Sequence, residues 1–178
     1  ELDADEVERF EEFVERRRDD EPLQYIEGTA SFGPIEVSVD PRVLIPRPET
    51  EQLFELACNA VDAPRVIVDL CTGSGNLAIA LKAVFPAATV YAVDLSEDAV
   101  EVARMNVRSA GLDVTVLLGD LFDPLPKNIA GRVDLSAAVQ AGEAGFEPHP
   151  NRMVLIDQTA IVLLALYTPS YVDSASSR

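Results

Sequence analysis

Apolar and polar residues follow two different periods along this chain, and the change from one to the other divides it. Over residues 3–18, Val7, Phe10, Phe13 and Val14 recur at helical spacing among charged positions, with acids at the start and Arg16, Arg17 and Arg18 at the end. That charge order suits a helix dipole and predicts an amphipathic helix. Asp19-Asp20-Glu21-Pro22 ends it. Ile35, Val37 and Val39 then alternate with Glu36 and Ser38, a period of two that predicts a short strand, turned by Asp40-Pro41. Leu44 to Pro48 reads as an extended, proline-stiffened lead into a helix over residues 49–60, opened by Glu49 or Thr50.

From Val66 onward, strands and helices alternate. Val66-Ile67-Val68 predicts a strand, Asn76–Phe85 a helix and Thr89–Val93 a second strand; Glu97–Ala110 predicts a helix capped by Ser96 and stopped by Gly111, and Val114–Leu118 a third strand. Strand, helix, strand, helix, strand at this spacing implies right-handed crossovers, hence an α/β fold with an open, doubly wound parallel sheet.

Composition narrows the function classes. With 178 residues, 48% of them hydrophobic and 25% charged, the chain can bury one core. Its net charge of −17 excludes nonspecific docking on nucleic acid or anionic lipid, both of which need basic surface. Cys58 and Cys71 have neither metal-site spacing nor the number for a disulfide framework, so a reducing cytoplasm is expected and no metal. The acidic start Glu1–Asp5 gives no expectation of a secretory leader. The longest uncharged apolar run, Thr159–Tyr167, falls under half of the ~20 residues that a membrane helix needs. The sole histidine, His149, sits in a Pro-flanked loop sequence, and Tyr25, Tyr91, Tyr167 and Tyr171 are too scattered to stack single-stranded nucleic acid.

The richest chemistry lies in Val66–Leu81, VIVDLCTGSGNLAIAL. A strand ending in Asp69 runs into a turn with Gly73 and Gly75 and then a helix, so backbone N–H groups and a helix N-terminus face the crevice beyond the strand. Gly73 to Ala78 satisfies the loose G-x-G-x-x-G/A pattern, and Asp94 ends the next strand where a ribose-binding carboxylate belongs. Asp69 beside the turn disfavours a dinucleotide pyrophosphate and suits the ammonium of a methionine moiety, which favours S-adenosylmethionine over NAD. Asp120, after Gly119 at the end of the third strand, can accept from an adenine amino group, with Leu121 or Phe122 covering the ring.

Residues 66–81, Asp94 and Gly119-Asp120 resemble the nucleotide motifs of class I S-adenosylmethionine-dependent methyltransferases. Upstream, Glu21-Pro22-Leu23-Gln24-Tyr25-Ile26 with Gly28 and Phe32, and above all Leu44-Ile45-Pro46-Arg47-Pro48-Glu49-Thr50-Glu51, resemble the PrmC/HemK family, which methylates a glutamine side-chain amide in peptide chain release factors. The resemblance covers residues 3–135. It implies a Rossmann-like methyltransferase fold and, as cofactor-binding positions, Asp69, Thr72, Gly73, Gly75 and Asn76 on the methionine side, Asp94 and Leu95 at the ribose, and Asp120 and Leu121 at the adenine. Leu44, Arg47, Pro48 and Glu49 are the implied substrate-binding residues at the mouth of the site. It further implies a cytoplasmic enzyme of translation termination whose partner is a release factor, with no direct nucleic-acid or membrane contact.

The family's Asn-Pro-Pro-Tyr motif, which orients the substrate amide, occurs nowhere in this sequence. Its nearest counterpart is Thr168-Pro169-Ser170-Tyr171, which makes Thr168 and Tyr171 the substitute catalytic candidates. Four segments are therefore expected: residues 1–20 as a helix remaining from a helical N-terminal domain, 21–60 as a β segment and substrate mouth, 61–135 as the cofactor-binding core, and 136–178 as a divergent end. A parallel sheet left incomplete on that side exposes an edge and predicts self-association. Two alternatives stand beside release-factor methylation: a class I methyltransferase acting on another amide, amine or nucleobase, and a catalytically silent cofactor-binding or assembly protein.

Overall fold

The computed structural model describes residues 3–141, 152–157 and 160–166. Helix α1 (Ala4–Arg18) forms where the pattern predicts it. Asp3 caps it by accepting from the Glu6 N–H at 2.8 Å while the Glu6 carboxylate accepts from the Asp3 N–H, a reciprocal capping box. No residue of α1 is buried, and Phe10 remains 63% exposed. Arg16 ties its end to the chain that follows, donating to the Glu21 carboxylate at 2.6 and 2.8 Å.

A short helix α2 (Leu23–Glu27) and strand β1 (Thr29–Phe32) come next, and neither was expected from the pattern. Gly28 closes α2 at φ 77°, a left-handed conformation that glycine adopts without penalty, and so aims β1 back along β2 (Ile35–Ser38) as an antiparallel pair. Helix α3 (Pro48–Ala60) begins earlier than the Glu49 or Thr50 start expected for it. Arg47 occupies the cap position without a side-chain hydrogen bond, and Pro48 takes the first turn because its fixed φ and missing N–H suit that place.

The core follows the predicted alternation. Strand β3 (Val66–Leu70), helix α4 (Asn76–Val84), strand β4 (Thr89–Asp94), helix α5 (Glu97–Ala110) and strand β5 (Val114–Leu118) are all present, with Ser96 capping α5 and Gly111 ending it at φ 64°. After a 3-10 turn at Lys127–Ile129, β6 (Leu135–Ala141) pairs parallel with β3. The sheet order is β5-β4-β3-β6-β8-β7, where β7 (Arg152–Asp157) and β8 (Ala160–Leu166) extend the four parallel strands antiparallel. The parallel expectation therefore holds for β5-β4-β3-β6, and antiparallel strands continue the sheet beyond it.

Period two assigns the two faces. Ile67, Val90, Ala92, Val114, Val116, Leu135 and Ala137 face a core shared with Leu53 and Ala57 of α3, Leu77 and Leu81 of α4, and Val100 and Ala103 of α5. Val66, Val68, Leu70 and Val93 face the other way, against Ile129 and Val133. Helices α3, α4 and α5 thus pack on one face, and among the described residues no α-helix packs on the other, whereas a doubly wound fold places helices on both. Lys82 closes the end of α4 from a buried position, its ammonium donating to the carbonyls of Pro86 at 3.0 Å and Ala88 at 2.6 Å. No helix among the described residues is long and apolar enough to cross a membrane, and no group of acids, Cys and His among them is arranged to hold a metal.

Candidate functional site

Parallel strands end on one edge, so the acids at the carboxyl ends of β3, β4 and β5 are neighbours. Asp69 is 2% exposed; its Oδ2 accepts from Thr72 Oγ1 at 2.6 Å and from the Ala78 N–H at 3.2 Å. It thereby satisfies a donor at the start of α4, whose cap residue Gly75 has no side chain to do so. Burial pushes the Asp69 carboxyl up to about 7 against the opposing effect of those two donors, and the nearby Asp94 charge adds to the rise.

Asp94 links the three strand ends. Its Oδ2 accepts from the Gly73 N–H at 2.8 Å and its Oδ1 from the Ser96 N–H at 3.0 Å, while its backbone carbonyl accepts from the Gly119 N–H at 2.9 Å. Each carboxylate oxygen keeps a lone pair for a ligand hydroxyl. Between the strand ends, Cys71 lies half-buried at φ 58°. Burial pushes its thiol up to about 11, helped by the charges of Asp94, Asp69 and Asp120 in that order, so all three acids bear on one point. Leu121 also takes a positive φ, 45°. Non-glycine residues in this region cluster at ligand clamps.

Gly73 and Gly75 are required for different reasons. At Gly73 (φ 55°) a side chain would project into open space above the turn, whereas at Gly75 (φ 80°) its first carbon would lie 3.3 Å from the Ala103 methyl of α5. One glycine lets a ligand approach the backbone; the other lets the turn seat on α5.

A cleft of about 200 Å³ opens over this turn, and its lining joins two distant parts of the chain. Asp69, Thr72, Gly73 and Asn76 line it from the turn, and Leu44, Arg47 and Thr50 from the mouth segment. Pro48 and Glu49 do not line it; Thr50, one position further, is buried and does. Gly75 lies beneath the cleft, and Asp94 holds the turn from below. Leu95, Asp120 and Leu121 are exposed beyond the lining residues, at the carboxyl ends of β4 and β5. Cys71 and Ser74 also line the cleft and were not anticipated. Thr168, Tyr171 and His149 lie outside the described residues.

Comparison with known proteins agrees with this geometry. A family model described as a methyltransferase domain matches residues 67–160, and one described as the PrmC N-terminal domain matches residues 1–28. The release factor glutamine methyltransferase of Mycolicibacterium smegmatis is 48% identical over 136 residues, covering 75% of this chain and 47% of the relative. That of Streptomyces coelicolor is 45% identical over 137 residues, covering 75% and 48%, and that of Koribacter versatilis 38% identical over 164 residues, covering 84% and 58%. The chain spans about half the length of the curated relatives it matches. Among solved structures, the Thermus thermophilus 16S rRNA N2 G1207 methyltransferase in complex with AdoMet and guanosine aligns at 17% identity and a TM-score of 0.59, over 79% of this chain and 50% of that one. At 15% identity, a Pyrococcus abyssi tRNA (uracil-54, C5)-methyltransferase aligns with a TM-score of 0.51, over 79% of this chain and 44% of that one. These structural likenesses establish the shared α/β fold.

Proposed function

The chain belongs to the methyltransferase domain family, and from that premise we propose that its cleft binds S-adenosylmethionine and presents the methyl group to a glutamine side-chain amide of a peptide chain release factor. The observation that carries this reading is the cleft itself, in which the Leu44–Arg47 segment and Thr50 face the glycine turn that follows Asp69.

The residues present fit the cofactor. Open space above Gly73 admits a ligand against the backbone, and the free lone pairs of Asp94 suit the adjacent hydroxyls of a ribose. Asp69 places a carboxyl on the cleft wall, where an ammonium favours its ionised form. Asp120 and Leu121, after β5, are the positions for the adenine. When bound, the cofactor supplies an activated sulfonium methyl, so strong acid or base catalysis by the protein is unnecessary. Its residues instead orient the substrate and exclude water. Leu44 brings an apolar side chain to the mouth, Arg47 a cation, and Thr50 a hydroxyl able to donate or accept.

An amide nitrogen is a weak nucleophile because its lone pair is delocalised, so acceptors must hold its N–H groups in line with the methyl. The absence of Asn-Pro-Pro-Tyr from the sequence favours a second reading, a protein that binds the cofactor without turnover. Both readings fit a cytoplasmic protein acting alongside translation termination. Self-association along an open strand edge is a further expectation, which light scattering at high concentration tests.

Calorimetric titration with S-adenosylhomocysteine, on the wild type and Asp94→Ala, tests cofactor binding. We expect the wild type to bind and the variant to lose ~1–3 kcal/mol, the penalty for leaving the Gly73 and Ser96 N–H groups and the ligand hydroxyls without an acceptor. Failure of the wild type to bind refutes the reading. Methyl transfer to a purified release factor then separates the enzyme from the silent binder.

A further inference from the structure

Asn106, on α5, is 3% exposed and commits its whole amide to backbone groups from two distant segments. Its Oδ1 accepts from the Ser38 N–H at 2.9 Å, and its Nδ2 donates to the Ser38 carbonyl at 2.9 Å and to the Ser74 carbonyl at 2.8 Å. Ser38 ends β2; Ser74 stands between the two glycines of the turn. Only a primary amide offers one acceptor and two donors in a single plane at this size; aspartate lacks the donors, and leucine would orphan all three backbone groups.

What Asn106 joins is the two walls of the cleft. On one side, the turn rests on α5 through Gly75 against Ala103. On the other, Ser38 leads directly into the mouth segment, which is pinned at Val39, whose N–H donates to the Gly28 carbonyl at 3.0 Å, and at Val43, whose carbonyl accepts from the Tyr25 hydroxyl at 2.7 Å. Leu44 follows immediately. A continuous chain of hydrogen bonds and short backbone therefore runs from Ser74 through Asn106 and Ser38 to Leu44, without passing through the cleft.

We propose that Asn106 is a positioning residue that couples occupancy of the glycine turn to the placement of the substrate-side segment 39–47. The proposal rests on the cleft being the cofactor site, and it assigns Asn106 no contact with cofactor or substrate. Binding that rigidifies the turn also fixes the Ser74 carbonyl, and the shared amide passes that constraint to Ser38.

Segment-resolved hydrogen exchange on the full chain, with and without S-adenosylhomocysteine, tests it. In the wild type, the ligand slows exchange both in the turn, residues 72–78, and in the segment spanning Ser38 to Val43. In Asn106→Ala the turn still responds, the mouth segment does not, and ligand affinity falls about 5- to 10-fold, the lower end of ordinary coupling between sites. Asn106→Asp keeps the size and the acceptor for the Ser38 N–H but removes both donors, cutting the bond to the Ser74 carbonyl, so it gives the same uncoupled response should Asn106→Ala fail to fold. A mouth segment that still responds in a folded variant overturns the proposal. If the wild type binds no ligand, the cofactor reading fails on its own, and exchange without ligand decides the coupling. Faster exchange in both segments of the variant supports it, and faster exchange in α5 alone overturns it.

Discussion

The two halves of the sheet solve the same hydrogen-bonding problem with opposite consequences. In the parallel half, β5-β4-β3-β6, every return to the starting edge takes a crossover, and the carboxyl ends of β3, β4 and β5 emerge side by side. Asp69, Asp94 and Asp120 converge for that reason. In the antiparallel half, β8 pairs with β6 over seven residues, Leu135↔Leu166 through Ala141↔Ala160, so its carboxyl end lies at the opposite edge. β8 therefore adds no acid to the site, and β7, which runs with the parallel strands and ends in Asp157, reaches the same edge only three strands away from β3. Strand direction and strand order together decide where a ligand can be held in this molecule.

The comparison predicts that the parallel half carries both the titration and the binding. The largest effect expected is on pH dependence. The Asp69 carboxyl stays protonated up to about 7 in the folded chain and loses its proton near its ordinary value of about 4 when unfolded. The folded state thus binds the extra proton between those values, and stability from this group is full below about pH 4 and lost as pH rises through about 7. The loss is on the order of 4 kcal/mol. Urea unfolding at pH 4 and pH 8 should show most of that difference in the wild type and not in Asp69→Asn; an equal change between the two pH values in both chains would rule Asp69 out as its source.

Next in size is Gly75→Val. A β-branched residue at φ 80°, with its first carbon 3.3 Å from Ala103, should lower stability by about 3 kcal/mol and weaken S-adenosylhomocysteine binding with it. Thermal unfolding and calorimetry on one preparation check both parts. The smallest effect belongs to the other half. Val162→Pro interrupts β8 between its two partners, Val139 of β6 and Leu155 of β7, yet ligand affinity should stay within about two-fold of the wild type. A ten-fold loss would mean that the antiparallel strands support the cleft after all.

How far the sequence could be read differs along the same lines. Helix α5 was legible from cap to stop because Ser96 and Gly111 each carry a local conformational preference. The turn after β3 was legible because two glycines and an acid at fixed spacing have few other uses. Strand β1 was not, since Thr29-Ala30-Ser31-Phe32 alternates polar and apolar over only four residues, too short a run to stand out, and becomes a strand by pairing with β2. The start of α3 was misplaced by favouring side chains that can cap, where Pro48 at the first turn dispensed with one. Asn106 was missed although it left a trace: it is a polar residue on the stripe Ala99, Ala103, Asn106, where α5 is otherwise apolar and buried. A lone amide on a buried stripe needs partners, but which ones depends on backbone 32 and 68 residues away.

The buried ammonium that closes α4 also determines how this protein can be handled at the bench. Lys82 and Lys127 are its only two lysines. Lys82 is held by two carbonyls inside the fold, and Lys127 stands exposed on the loop after β5. Amine-directed reagents should therefore find one lysine on the native surface. A dye or crosslinker placed there would sit on the loop after β5, outside the cleft lining, and would report on ligand and partner binding with no engineered substitution.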